Sequence, residues 1–227
     1  VDTQFEYEGI PLTLIDTAGI RKRGKIDPGV ERYSVVRAKK AIERADVALL
    51  MIDAETGITA QDLHIAGFIL DAWKSTIVVV NKWDSIEKDS YTMNYYTEKI
   101  LYELNFMPYV PLLFISALTG QRVEKVLPLA LKVQEARLTH ISTSKLNKIL
   151  RDALDAHPAP SKGGRQLKIY YATQVRSDPP TFLVYVNDHK LMHFSYRRFL
   201  ENQIRAAYEF IGTPIRIVLK GKAKKEK

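Results

Sequence analysis

Three short runs in this sequence hold residue types that can act together on one ligand. Asp16-Thr17-Ala18-Gly19 follows the apolar segment Leu12 to Ile15. A carboxylate at the end of a buried strand is suited to hold Mg2+, through water, beside a nucleotide phosphate. Gly19 has no Cβ, so its backbone N–H can approach a γ-phosphate closely and its dihedrals can change as a switch requires. Asn81-Lys82-Trp83-Asp84 follows a second apolar segment, Thr76 to Val80. A fixed carboxylate accepts from both N1–H and N2–H of guanine, a pair that adenine lacks, so Asp84 is expected to set base choice. Lys82 is expected to lay its aliphatic stem along the purine and Asn81 to brace the neighbouring loops, with Trp83 packing inward. Ser116-Ala117-Leu118-Thr119-Gly120 follows a third apolar segment, Pro111 to Ile115, and the Ala117 N–H is placed to donate to guanine O6.

The elements that must position these runs alternate along the first 140 residues. Strand patterns at Phe5 to Glu8, Leu12 to Ile15, Val47 to Ile52, Thr76 to Val80 and Pro111 to Ile115 are interleaved with helical ones. The helices are expected over Pro28 to Arg44, Ala60 to Trp73, Tyr95 to Leu104 and Val123 to Leu138. The first two strands flank Gly9-Ile10-Pro11 as a hairpin. The rest is the order of a doubly wound α/β domain, which puts all three runs at the carboxyl rim of one sheet. Residues 141 to 219 read differently, as a small α+β unit of order α-β-β-α-β. Its elements are helices at Ser144 to His157 and Tyr196 to Phe210, paired strands at Leu167 to Val175 and Phe182 to Val186, and a last strand at Ile215 to Leu219. Ser177-Asp178-Pro179-Pro180 is the turn of the strand pair, and Gly163-Gly164 a flexible connection.

Charge divides at the same place. The chain of 227 residues has 34 basic and 26 acidic side chains, a net of +8. Residues 1 to 140 hold 17 basic and 19 acidic groups, a net of −2, and residues 141 to 227 hold 17 and 7, a net of +10. A basic half suits a polyanionic partner, and residues 220 to 227 read as a basic disordered tail. There is no cysteine, which excludes thiol catalysis and thiolate metal sites. The five histidines have no spacing for a shared metal. Apolar runs fall far short of the roughly 18 residues of a membrane span, so a soluble, cytoplasmic protein without a membrane partner is expected. Tyr91, Tyr95, Tyr96 and Tyr102 have helical spacing and are expected to pack.

The three runs together resemble P-loop GTPases of the translation-factor type. Four longer stretches, Asp16 to Lys25, Glu31 to Ala38, Asp53 to Asp62 and Asn81 to Asp84, narrow this to the second G domain of the Der (EngA) ribosome-assembly GTPases. That family follows its second G domain with a basic KH-like module, so the resemblance covers nearly the whole chain. It implies a P-loop GTPase-type G domain over residues 1–140 and a KH-like domain over 141–219. It implies GTP or GDP and Mg2+ as ligands, the latter on Asp16, and a monovalent cation such as K+. The nucleotide site it implies comprises Asp16, Thr17, Ala18, Gly19, Ile20, Asn81, Lys82, Trp83, Asp84, Ser116, Ala117 and Leu118. The large ribosomal subunit and its rRNA are the implied partners of a monomer, with no role for DNA.

The sequence departs from that family in three places. No Gly-x4-Gly-Lys-Ser/Thr loop and no switch I threonine are present in these 227 residues, so the chain is expected to begin after switch I. Ile20 stands where many GTPases orient water with glutamine, so no catalytic residue is assigned, and Arg21, Lys22 and Arg23 are expected to face solvent or a partner. The basic module has no Gly-X-X-Gly loop between helices, which leaves Lys168, Arg176, Lys190, Arg197, Arg198 and Arg205, interleaved with Tyr170, Tyr171, Tyr185 and Tyr196, as candidates for RNA contact. The expected function is a GTP-hydrolysing switch in ribosome biogenesis. The alternative is a non-enzymatic RNA- or ribosome-binding scaffold with a degenerate G domain; an ATPase is disfavoured by Asp84.

Overall fold

A computed structural model describes residues 2–15, 28–162 and 164–221, with the side chains of 28–35 and 162 excepted. The chain divides into two compact units, residues 1–134 and 135–227.

In the first unit, β1 (Asp2–Tyr7) and β2 (Ile10–Ile15) pair antiparallel. Their turn is Glu8-Gly9, one residue earlier than Gly9-Ile10-Pro11. Both turn residues have positive φ, 51° and 78°, which suits a two-residue turn that follows the strand twist. Pro11 therefore lies within β2, opposite Glu6.

α1 (Pro28–Arg44) leads to a parallel sheet of order β3 (Val47–Asp53), β4 (Ser75–Asn81) and β5 (Leu112–Phe114). β4 is the central strand, and Ser75 to Val80 are all buried. A strand covered on both faces needs a continuous apolar run, here Ile77-Val78-Val79-Val80, and each such side chain contributes about 1.5–3 kcal/mol on burial.

The helices around this sheet begin where local hydrogen bonds start them. α2 (Ala60–Asp71) opens on a capping box in which Thr59 N–H donates to Asp62 Oδ2 at 2.8 Å and Asp62 N–H to Thr59 Oγ1 at 3.4 Å. α3 (Thr92–Glu103) starts three residues before the expected Tyr95, because Asp89 accepts from the N–H groups of Tyr91 and Thr92 at 2.9 and 2.7 Å. Only Tyr96 of the tyrosine cluster packs inward: Tyr91, Tyr95 and Tyr102 are exposed, which corrects the expectation that the group is buried. Helical spacing sets a shared stripe and does not decide whether that stripe meets a core. α4 (Val126–Leu138) is preceded by a 3-10 turn at Val123–Lys125.

The second unit packs α5 (Thr143–Ala156) and α6 (Phe194–Ala207) on a sheet whose core includes Leu146, Leu150, Phe182, Val184, Leu200 and Ile204. β6 (Ser161–Lys162) and β7 (Arg165–Gln166) form a short hairpin where the sequence suggested a flexible connection. The main sheet has the order β10-β9-β8, with β8 (Ile169–Ser177) antiparallel to β9 (Pro180–Val186) and β10 (Arg216–Gly221) parallel to it. Lys220 and Gly221 thus belong to the last strand rather than to a tail. Gln174 closes the start of this unit: its side chain accepts from Ile141 N–H at 2.7 Å and donates to Thr139 O at 2.9 Å. Arg137, 3% exposed, donates through Nε to Asp178 Oδ1 at 2.6 Å, tying the end of α4 to the β8–β9 turn. No sequence motif pointed to Gln174 or Arg137.

Candidate functional site

The carboxyl ends of β3, β4 and β5 form one rim because the strands are parallel and in register, with Asp53 opposite Asn81 and Val80 opposite Phe114. Asp53 ends β3 and Asn81 ends β4. The chain then leaves β4 through Lys82, whose φ of 61° is left-handed and turns the backbone sharply. The turn is held by Trp83 N–H donating to Ile115 O at 3.0 Å and by Ser85 N–H and Oγ donating to Lys82 O at 3.1 and 2.8 Å.

Trp83, 2% exposed, is the anchor below this turn, with its ring 5.2 Å from Tyr96 and 4.5 Å from Phe114. It is a core residue and presents no face to a ligand. Its burial sends the next residue, Asp84, outward; that carboxylate is exposed and has no hydrogen-bond or ion-pair partner among the described residues.

Asn81 reaches across to the next loop, where its Oδ1 accepts the Ala117 N–H at 2.9 Å. This is a brace between two loops 36 residues apart in sequence. It also engages the hydrogen expected to serve guanine O6, so a base oxygen there would share that N–H with Asn81. Ser116 is buried and its Oγ accepts from Thr119 N–H at 3.1 Å, which shapes the loop from within. Leu118 is exposed.

Lys82 is placed differently from the expectation that its stem lies free along a purine. Its Nζ is 2.6 Å from Asp53 Oδ2 and 3.7 Å from Glu55 Oε2. The Lys82 hydrogen bond holds the Asp53 carboxyl below the usual carboxylate range, and the same bond raises the Lys82 ammonium. Asp53 Oδ1 also accepts from Glu55 N–H at 2.9 Å, and Gly57, at φ 70°, returns its N–H to Asp53 O at 2.8 Å. Asp53 and Glu55 are the rim residues that motif reading did not single out as site residues, although their run belonged to the stretches carrying the resemblance.

Asp16, Thr17, Ala18, Gly19, Ile20 and Arg21 to Arg23 lie outside the described residues, and with them the magnesium ligand expected from sequence. Among the described residues no cluster of three or more His, Cys, Asp or Glu side chains could hold a metal ion. No helix among them is long and apolar enough to cross a membrane.

In the second unit the candidate RNA contacts separate into two groups. Tyr196 is buried and its hydroxyl donates to His157 O at 2.9 Å, and Arg205 bonds Glu201, Phe210 O and Thr213 O, so both are internal braces. Tyr170, Tyr171, Lys168 and Arg176 are exposed.

Two family models divide the chain. The elongation factor Tu GTP binding domain matches residues 2–141, and the C-terminal KH-domain-like module of EngA bacterial GTPase enzymes matches residues 140–220. Among curated relatives, GTPase Der of Leuconostoc citreum strain KM20 is 48% identical over 223 residues, covering 98% of this chain and 51% of the relative. GTPase Der of Geobacillus sp. strain WCH70 is 53% identical over 218 residues, covering 96% and 50%. The chain belongs to the family with an elongation factor Tu-type GTP binding domain, and along nearly its whole length it is similar to GTPase Der proteins. It spans about half the length of the Der relatives it matches. The order seen here, a parallel-sheet unit followed by an α+β unit, is the order in which the two family models match the chain. The structure of Era in complex with MgGDPNP and nucleotides 1506–1542 of 16S ribosomal RNA has the same fold. It aligns with a TM-score of 0.51 at 21% identity and covers 96% of this chain and 78% of Era.

Proposed function

We propose that this chain is the guanine-nucleotide switch and basic module of a Der GTPase that binds and hydrolyses GTP during assembly of the large ribosomal subunit in the cytoplasm. The observation that carries the reading is the Asp84 carboxylate, exposed and without a partner among the described residues, on a turn fixed by buried Trp83 and flanked by the Asn81–Ala117 brace. A rigid, solvated carboxylate is what pairing with N1–H and N2–H of guanine needs. Asp16 to Ile20 would meet the phosphates, with Asp16 on Mg2+ through water, and residues 1–140 would form the nucleotide domain. The basic residues of 141–219 would face ribosomal RNA, since neutralising phosphates releases counterions.

Calorimetric titration of GDP, ADP and xanthosine diphosphate tests the base assignment, on the chain alone and on the chain restored to the full length of its Geobacillus relative. GDP is expected to bind and ADP not. Asp84→Asn is expected to weaken GDP and favour xanthosine diphosphate, whose C2 carbonyl accepts from the new amide. Equal binding of ADP, or an unchanged GDP affinity in Asp84→Asn, would overturn it. RNA binding with no dependence on nucleotide in the full-length form would favour the non-enzymatic scaffold.

A further inference from the structure

The sheet of the second unit has one face against α5 and α6; the opposite face holds no residue of that core, although the start of α5 reaches it at the β8 edge, where Thr143 Oγ1 lies 3.1 Å from Thr173 Oγ1, and Thr181 on it is buried. Phe182, Val184, Val186 and Ile217 point into the core, so the alternate residues of β9 and β10 form the open face. Register sorts that face into three cross-strand rows. Tyr171, Tyr185 and Lys220 make the first, Thr173, Leu183 and Val218 the second, and Arg176, Thr181 and Arg216 the third.

The first row is a stack. The rings of Tyr171 and Tyr185 lie 4.2 Å apart at 12°, and Lys220 Nζ sits 5.5 Å from the Tyr185 centroid. Tyr185 is thus flanked on both sides, whereas Tyr171 ends the row on edge strand β8 and is 44% exposed. Tyr170, at an irregularity in the β8 register, is exposed beside it. At about 3.3 Å per residue, the arginine row lies roughly 13 to 17 Å along the sheet from the tyrosines. The three strands carry Arg176, Arg216 and Lys220 and no carboxylate. The unit as a whole has 18 basic against 8 acidic residues, a net of +10.

We propose that this open sheet face binds single-stranded RNA, with an unpaired base stacking on Tyr171 at the free end of the row and the backbone running toward Arg176 and Arg216. Stacking accepts any base and requires that it be unpaired, while the cations supply salt-dependent attraction to phosphates. The site is separate from any loop between helices, which this module lacks. It deepens the RNA part of the proposed function and rests on that part.

Fluorescence anisotropy of the 227-residue chain with labelled 12-nucleotide RNA, single-stranded and in duplex, without nucleotide, tests it. The single strand is expected to bind more tightly than the duplex. Tyr171→Val, which preserves strand preference, is expected to weaken single-strand binding by roughly 5- to 150-fold, with Tyr171→Phe near wild type. Replacing Arg176 and Arg216 by Ala is expected to lower the slope of log affinity against log salt by about 1.4, while Tyr171→Val leaves the slope unchanged. Tight RNA binding that is indifferent to Tyr171→Val in a folded protein, or stronger on duplex, would overturn the tyrosine site and leave RNA association standing. No RNA binding by the wild-type chain would overturn both.

Discussion

Lys82 Nζ lies 2.6 Å from Asp53 Oδ2, joining the ends of two adjacent parallel strands at the rim where a base is expected. The contact is half exposed, so its stabilising effect is small and screened by salt. Its positional effect is larger, because it draws Lys82 toward Asp53 and Glu55 instead of leaving the stem free over the rim.

That contact has a pH signature. Asp53 has a lowered folded-state value, so its contribution is present above the ordinary carboxylate value of about 3.9 and is lost as pH falls through the depressed one. Urea unfolding of wild type and Asp53→Asn between about pH 2 and 7 should show curves that differ at neutral pH and converge in acid. A constant difference across that range would exclude the Asp53 carboxylate as the source.

Asn81 serves as a brace, and Asn81→Ala removes the acceptor of the Ala117 N–H. Loss of one such bond is expected to cost about 1 kcal/mol in denaturant unfolding. Guanine affinity should fall while the preference for GDP over ADP persists, since Asp84 is untouched. Loss of that preference would assign Asn81 a direct part in base choice.

Trp83 separates packing from recognition. Trp83→Ala is expected to cost about 3–5 kcal/mol through the cavity it leaves beside Tyr96 and Phe114. Trp83→Phe should lose less, and its GDP affinity should match wild type once the protein is folded. A large affinity loss in a stable Trp83→Phe protein would make the indole a ligand contact.

Gln174, 7% exposed, satisfies the backbone at the start of the second unit. Gln174→Leu leaves the Ile141 N–H and Thr139 O without their side-chain partner, and each buried group so left costs about 1–3 kcal/mol. Hydrogen exchange at Ile141 should rise in the variant; unchanged exchange would show that its protection does not come from the Gln174 side chain.

The sequence by itself determined the order of elements and marked the loops expected to meet a ligand. Apolar runs ending in Asn81-Lys82-Trp83-Asp84 and Ser116-Ala117 fix strand ends and loops locally, and the base specificity expected of Asp84 rests on the chemistry of one carboxylate. Asp16 to Gly19, expected from the same reasoning, lies outside the described residues. Partner choice was decided by the tertiary structure. That Lys82 meets Asp53, that Asn81 meets Ala117, and that Tyr171, Tyr185 and Lys220 form one row all depend on strand register, which brings together residues distant in sequence. Exposure was decided there as well: Tyr91, Tyr95 and Tyr102 have the spacing of a packed stripe, yet all three are exposed. Periodicity encodes which residues share a face, and only the assembled fold determines what that face meets.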